Sequence, residues 1–276
     1  MADFDGDGDS DVSVFRPSSD GWFASGGASG TYGQNGDIPV PADYDGDAKT
    51  DTAVYRPSVG TWYVHNSATG TDTLLNYGVG SDIAVPADYD GDAKADVALF
   101  RPDSATWYVR NSATGTDTAL TYGIAGDIPV PGYYDGDNRA DMAIFRPSEG
   151  GWYFRNSATG ASTSTTYGVN GDVPTPGDFD RDGRTDVAVY RPSVGTWYVN
   201  SSATGTDTLL NYGVGSDVPQ VGDYDNDAKA DIAVFRPDSA TWYVRNSATG
   251  TDTIVTYGIP GDVPLPMPHA IRRFFY

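Results

Sequence analysis

The run Pro86–Asp96, PADYDGDAKAD, places aspartates at 88, 90, 92 and 96. Asp is a poor former of helix and strand, and its short carboxylate bonds readily to nearby backbone amides, so the run reads as a tight loop. Four carboxylates in one loop repel one another unless something offsets their charge. The same loop returns with first positions at Asp3, Asp43, Asp88, Tyr133, Asp178 and Asp223, spaced by 40 residues once and by 45 four times. Two further markers keep step with it. TWYV or a close variant recurs at Trp22, Trp62, Trp107, Trp152, Trp197 and Trp242, and YG followed by GD or SD recurs at Tyr32, Tyr77, Tyr122, Tyr167, Tyr212 and Tyr257. A period of this length means one supersecondary unit per repeat, stacked on its neighbours.

Each unit reads as four short strands. DIPVPAD carries proline at alternate positions, which suits an edge or irregular strand. DVALFRP, after the Asp loop, is a continuous apolar run, as expected of a strand covered on both faces. TWYVRNS alternates, with Trp107 and Val109 on one face and Tyr108 and Arg110 on the other. NSATGT is a glycine-containing hairpin turn and TALTYG the fourth strand. No segment has helical periodicity. Four antiparallel strands per unit, repeated six times, predict an all-β fold: a six-bladed β-propeller of four-stranded antiparallel blades.

The first repeat lacks its leading strand and is five residues short between Pro17 and Tyr32, so its hairpin there is trimmed. GDVPLPMP (261–268) aligns with GDIPVPAD (36–43), so the C-terminal strand, 262–267, is expected to complete blade one and close the propeller. The expected organisation is a single propeller over residues 1–268, with blades starting near 3, 43, 88, 133, 178 and 223, then a tail over 269–276. The tail, HAIRRFFY, departs in composition from every repeat and is expected to dock beneath blade one. Repeats two and five share RPSVGTWYV, and repeats three and six share RPDSATWYVRNSATGTDT, each pair 135 residues apart (43 to 178, 88 to 223). A three-blade ancestor that doubled accounts for this pattern.

Composition sets the limits on function. The formal charge is −21, from 38 acidic residues against 17 Lys and Arg. Glu149 is the sole glutamate, so the acids are chosen for turn geometry rather than for solubility. That charge argues against a nucleic-acid partner, which needs a basic footprint; the one basic cluster is Arg272-Arg273. There is no cysteine, hence neither a disulfide framework nor a thiolate site. No run has the apolar length of a membrane span. The chain opens inside an Asp loop without a charged-then-apolar leader, as expected of a piece of a longer secreted precursor.

Counted from Asp88, carboxylates stand at loop positions one, three, five and nine, with a backbone carbonyl available at seven. Alternate side chains at the start of an EF-hand calcium loop converge on one ion in this way. Calcium is the cation such a set selects, being hard and tolerant of irregular oxygen geometry. The alternative is an Asx-turn hairpin that holds no ion.

At these residues the sequence resembles the FG-GAP/VCBS repeats of integrin-α-like propellers and of fungal calcium-dependent propeller lectins, whose motif D-x-[DN]-x-D-G-x-x-D recurs, with departures, in all six repeats. The resemblance implies calcium ligands Asp3, Asp5, Asp7 and Asp11 in blade one and Asp43, Asp45, Asp47 and Asp51 in blade two. Blade three supplies Asp88, Asp90, Asp92 and Asp96. Blade five supplies Asp178, Asp180, Asp182 and Asp186, and blade six Asp223, Asp225, Asp227 and Asp231. Blade four has Tyr133 at position one and keeps only Asp135, Asp137 and Asp141, so its site is expected to be weak or empty, leaving about five calcium ions. Position six, normally glycine, is Ala48, Ala93, Asn138 and Ala228 in four blades. Those loops are expected to turn differently, through Gly46, Gly91 and Gly136 at position four.

Catalysis finds no motif. The chain has two histidines, His65 and His269, and neither stands in a nucleophile–base–acid set; the chain is expected not to be an enzyme. The repeated Arg before Pro (16, 56, 101, 146, 191, 236) reads either as packing over its own blade's aromatic ring or, with the Trp, as shallow sugar pockets repeated for avidity. The expected function is an extracellular or cell-surface calcium-binding recognition or adhesion module for a glycan or protein ligand. Alternatives are a multivalent carbohydrate-binding lectin and a non-catalytic domain of a larger secreted enzyme.

Overall fold

The computed structural model describes residues 2–27, 29–272 and 274–275, so Arg273 and Tyr276 of the tail lie outside the described residues. It contains six four-stranded antiparallel sheets, the blades of a six-bladed β-propeller. The chain divides into two compact units. One comprises residues 1–80 and 216–269, holding blades one, two and six; the other comprises 81–215 and 270–276, holding blades three, four and five.

Blade two shows the common plan: Ile38–Pro39, Thr52–Arg56, Thr61–His65 and Asp72–Asn76, in that spatial order. The first strand is only two residues long, and its proline pattern explains why. Pro41 has no amide to give to the ladder, so regular pairing stops and resumes only as an isolated bridge between Ala42 and Asp51. Blade six tests this reading internally. Val221 stands where the sister blades have proline, and its first strand runs unbroken over Val218–Gly222, pairing five residues with Asp231–Arg236. In blade one the first strand is Val263–Leu265, which pairs Leu265 with Ser13 and Val263 with Phe15. It is followed in the sheet by Ser13–Arg16, Gly21–Ala24 and Ser29–Thr31.

The second strand is the most buried, as its unbroken apolar run predicts: Ala98, Leu99 and Phe100 are sealed from solvent. The third strand alternates, with Trp107 and Val109 buried and Tyr108 and Arg110 only partly so. Each Trp packs against the aromatic ring opposite it on the second strand, as Trp107 does against Phe100 at 5.3 Å between ring centres. In blades one to five the indole N–H donates to the carbonyl of the YG tyrosine, for example Trp62 to Tyr77 at 3.1 Å. With the indole N–H engaged and the ring sealed from solvent, Trp62, Trp107, Trp152 and Trp197 offer no exposed face as a sugar platform.

The repeated Arg is tied down as well. Arg56 Nε and Nη2 donate to the two oxygens of Asp37 at 2.7 and 2.8 Å, while its guanidinium lies 4.1 Å from the centre of the Tyr63 ring. Every blade repeats this fork, through Arg16–Asp262, Arg101–Asp82, Arg146–Asp127, Arg191–Asp172 and Arg236–Asp217, and every carboxylate is buried. The internal-packing reading of the Arg therefore holds, with the third-strand Tyr (Phe23 in blade one) as the ring. Its second partner, the Asp of the GD or SD marker, could not be read from local sequence. The fork ties the entry of the first strand to the end of the second through a two-bond, charge-assisted contact.

The tail forms one helical turn, His269–Arg272, with Ala270 and Ile271 buried. A single turn is too short to show a helical period in sequence. The described tail residues Ala270–Arg272, Phe274 and Phe275 group with the unit of blades three to five.

Removing one arm of a fork leaves a buried carboxylate without its counter-charge. Arg101→Ala is expected to cost about 2–4 kcal/mol, discounted for the partly exposed guanidinium. Arg101→Lys should recover less than half of it, because an ammonium cannot make the fork. Thermal and denaturant melts of both variants check this, and equal stability of the two would show that charge, not fork geometry, carries the contact.

Candidate metal loops

The loop between the first and second strands is shaped by the carboxylates at its two ends. In blade two, Asp43 at position one accepts the amides of Gly46 and Ala48, at 2.6 and 2.9 Å, one on each oxygen. Both donors have left-handed backbone, with φ of 84° at Gly46 and 67° at Ala48. Ala93 and Ala228 are also left-handed at 67°, and their amides reach Asp88 and Asp223 in the same way. The expectation that alanine loops turn differently is therefore corrected. The alanines take the glycine conformation at a cost of about 1–2 kcal/mol each, held there by the position-one carboxylate. Blade four supports this cause: Tyr133 offers no carboxylate, and Asn138 is not left-handed.

At the other end, position nine is almost wholly buried. Asp51 accepts the amides of Tyr44 (2.8 Å) and Asp45 (3.2 Å) on one oxygen and that of Ser67 (2.6 Å) on the other. It thus pins the loop to the hairpin between strands three and four of its own blade. Burial raises the pKa of Asp51, Asp96, Asp141, Asp186 and Asp231 from the ordinary carboxylate value, against the lowering effect of the hydrogen bonds they accept from Ser67 and its counterparts.

Positions one, three and nine come together. One carboxylate oxygen from each lies within 4.8 Å of the others in Asp3/Asp5/Asp11, Asp43/Asp45/Asp51, Asp88/Asp90/Asp96, Asp178/Asp180/Asp186 and Asp223/Asp225/Asp231. Position five does not join this set. Asp47 accepts the Ser67 hydroxyl (3.0 and 3.1 Å) and the Lys49 amide (2.9 Å) instead, and Asp92 and Asp227 likewise bond Ser112 and Ser247. Asp7 bonds the Asp9 amide, and Asp182 the Ser202 hydroxyl. In blade four Asp135, Asp137 and Asp141 form no such group among the described residues.

The donor set fits a hard divalent cation: three anionic oxygens, none of them sulfur or nitrogen, in a loop whose carboxylates are partly dehydrated. A buried oxygen without a hydrogen-bond partner, Asp225 Oδ1, lies at position three of blade six, and such an atom is stabilised by a cation. Blade four has its own orphan, Asp135 Oδ2, but no position-one carboxylate to share a cation with it.

Neighbouring loops mesh within each unit. The Thr50 amide donates to the Asp3 carbonyl (2.6 Å) and the Asp3 amide to the Thr50 hydroxyl (3.0 Å). The Thr185 amide and hydroxyl hold Tyr133 in the same manner. The cation at position seven helps, as Lys49 Nζ donates to the Asp5 carbonyl at 2.8 Å. Blade one departs, carrying Asp9 at this position; burial and the neighbouring Asp7 raise its pKa to about 6. The hairpin serine and the position-seven residue were not identified as loop partners from sequence. The signal available was their recurrence: SAT follows every third strand except that of blade one.

A model of the FG-GAP-like repeat matches residues 133–189 and 178–234. The chain is thus a six-bladed β-propeller whose residues 133–234 match the FG-GAP-like repeat. No curated protein matches it in sequence. Among solved structures it is similar to TolB from Acinetobacter baumannii, with 14% identity, a TM-score of 0.67, and 94% of this chain and 66% of that one covered. It is also similar to an Agrocybe aegerita lectin that recognises non-reducing terminal N-acetylglucosamine, at 16% identity and TM-score 0.59 over 90% and 77% of the two chains. A third likeness is to virginiamycin B lyase from Staphylococcus aureus, at 11% identity and TM-score 0.54 over 80% and 71%. This last comparison corrects the expectation that the chain is not an enzyme. The architecture itself carries lyase activity in another protein, so nothing about the fold excludes catalysis. Identities this low show a shared fold alone, and no activity is transferred.

If position six is strained only by its side chain, Ala48→Gly and Ala93→Gly are each expected to stabilise the protein by about 1 kcal/mol. Asn138→Gly in blade four should give no such gain. Melting temperatures of the three variants check this; a destabilised Ala48→Gly would mean that the methyl group makes a compensating contact.

Proposed function

We propose that this protein is a calcium-dependent recognition module that works outside the cell, presenting its blades to a glycan or protein ligand. The observation that supports it best is the convergence of position-one, -three and -nine carboxylates in five loops, with the sixth, at Tyr133, lacking it. In this reading Asp3, Asp5 and Asp11 and their counterparts hold one calcium ion each, and the position-five aspartates orient the hairpin serine beside the site. Bound calcium would offset the repulsion among the carboxylates and lock each loop to its neighbour through the amide contacts already described.

Three carboxylates in an irregular loop give modest affinity, of the order of 10⁻⁴–10⁻³ M for extracellular calcium modules. Such loops fill in extracellular calcium, and this supports a secreted or cell-surface location. The second reading is a lectin, supported by the likeness of fold to the Agrocybe aegerita protein. Its sugar contacts would have to lie away from the buried Trp and the forked Arg.

Calorimetric titration of demetallated protein is expected to find about five calcium sites, one per converging loop. Calcium at ten times its Kd should stabilise the fold by about 1.4 kcal/mol per site and raise the melting temperature. Two sites or fewer would overturn the ligand assignment. A glycan array probed with and without chelator separates the two readings: calcium-dependent binding to N-acetylglucosamine-terminated glycans favours the lectin, whereas no glycan signal leaves a protein ligand.

A further inference from the structure

Blade one breaks the pattern on the face of its Trp. The residue paired opposite Trp on the fourth strand is Leu75, Leu120, Leu210 or Val255 in four blades. In blade one it is Gly30, opposite Trp22. The residue two places after the Trp is Val64, Val109, Val199 or Val244 in the same four blades, and Ala24 in blade one. Blade four also lacks the aliphatic cover, with Thr165 opposite Trp152, but it compensates: Phe154 stacks on Trp152 at 6.4 Å. Blade one has neither of these side chains, and Trp22 is buried with Phe4 at its edge, 6.4 Å between ring centres. Against blade two it lacks about six carbon atoms, those of Leu75 and part of Val64, the content of one aromatic ring.

A cavity of about 280 Å³ opens there, walled by Phe4, Trp22, Leu265, Thr52 and His65. A Cβ placed on Gly30 would meet nothing within 4 Å, so the space reaches the surface past this residue. The corresponding cavity between blades three and four, where Leu120 is present and Arg155 replaces His65, is about 190 Å³. The indole N–H of Trp22 is already given to the Tyr32 carbonyl at 2.9 Å, which leaves the inner wall apolar. At the mouth, His65 Nδ1 is paired with Asp72 at 2.8 Å and the imidazole lies 5.7 Å from the Tyr32 ring. With Nδ1 engaged, Nε2 is the remaining polar atom of His65; Ser29, Thr31 and Thr52 also line the cavity.

We propose that this cavity binds one small, uncharged aromatic molecule, which stands in for the side chain that the sister blades supply themselves, with a hydroxyl or ring N–H directed to His65. The wall chemistry selects an apolar ring over a sugar, because a sugar buried there would leave most of its hydroxyls unpaired. The formal charge of −21 disfavours anionic ligands. This site does not depend on the calcium reading, and it occurs once in the chain rather than once per blade.

The test uses the whole chain in calcium-containing buffer, with indole as probe and N-acetylglucosamine as comparator. The protein has two histidines, so the imidazole NMR signals of His65 can be followed individually. Indole is expected to shift the His65 signals saturably and N-acetylglucosamine to leave them unmoved. Gly30→Leu, which restores the sister-blade residue at a position without left-handed backbone, should weaken indole binding at least about tenfold while keeping or raising the melting temperature. Ala24→Val serves as a second filling variant and should weaken it to a lesser degree. Absence of a saturable shift, an equal shift in a folded filling variant, or a response to N-acetylglucosamine without one to indole would each overturn the proposal.

Discussion

The interaction on which the rest of the molecule depends is the buried carboxylate at position nine of each loop. Asp51, Asp96, Asp141, Asp186 and Asp231 each accept backbone amides from their own loop and from the hairpin between the third and fourth strands. Asp11 does the same in blade one through Phe4 and Gly26. One side chain thereby fixes the loop and the hairpin at one end of a four-stranded sheet, in a chain without cysteine. It is retained in blade four, where position one is lost, so the blade does not need a complete metal loop to form. Dehydrating a carboxylate is costly unless its lone pairs are filled, and two or three amides on each Asp fill them.

Position one is a different device. Asp43 and its equivalents hold two left-handed residues in place, and the loop tolerates alanine there because the carboxylate collects both amides. The same residue's backbone carbonyl accepts a hydrogen bond from the next loop within the unit, Asp3 from the Thr50 amide and Asp88 from the Ala140 amide. Metal loop and blade packing are therefore one structure, and a cation that stiffens the loop would stiffen the contact between blades. The Arg–Asp forks act on the opposite end of the second strand, where they close the corner between it and the first. Between them these two carboxylate sites hold the first strand, which proline has left with almost no ladder of its own.

Blade one is where the repeat was most altered, and it is where the surface is least uniform. Its shortened hairpin, the glycine at 30 and the acid at 9 are all departures from the sister blades. Losing the aliphatic side chain opposite a tryptophan leaves space beside the ring rather than bare surface, since Trp22 stays buried, and a cavity with such a wall is the natural place for a ligand. Four of the other blades place an aliphatic side chain at the same position, and blade four sets Phe154 against its Trp instead. This contrast between five self-filled blades and one open blade is what gives the cavity its meaning, more than its size.

Much of this was legible in the sequence, because it follows from local chemistry and a period. The repeat of 45 residues fixed the number of blades, the alternation of TWYV fixed which face of the third strand is buried, and the spacing of Asp88, Asp90 and Asp96 marked the loop. Proline at alternate positions announced a weak first strand. What only the tertiary structure decided are contacts between residues far apart in the chain. Asp37 meets Arg56 across 19 residues, and Ser67 takes Asp47 away from the carboxylate cluster across 20. The left-handed alanines depend on a carboxylate that is near in sequence but whose reach is set by the folded loop. Gly30 reads in sequence as one more turn glycine; only its pairing opposite Trp22 makes it an opening. Cross-strand register, which no short stretch encodes by itself, is the physical reason for the division.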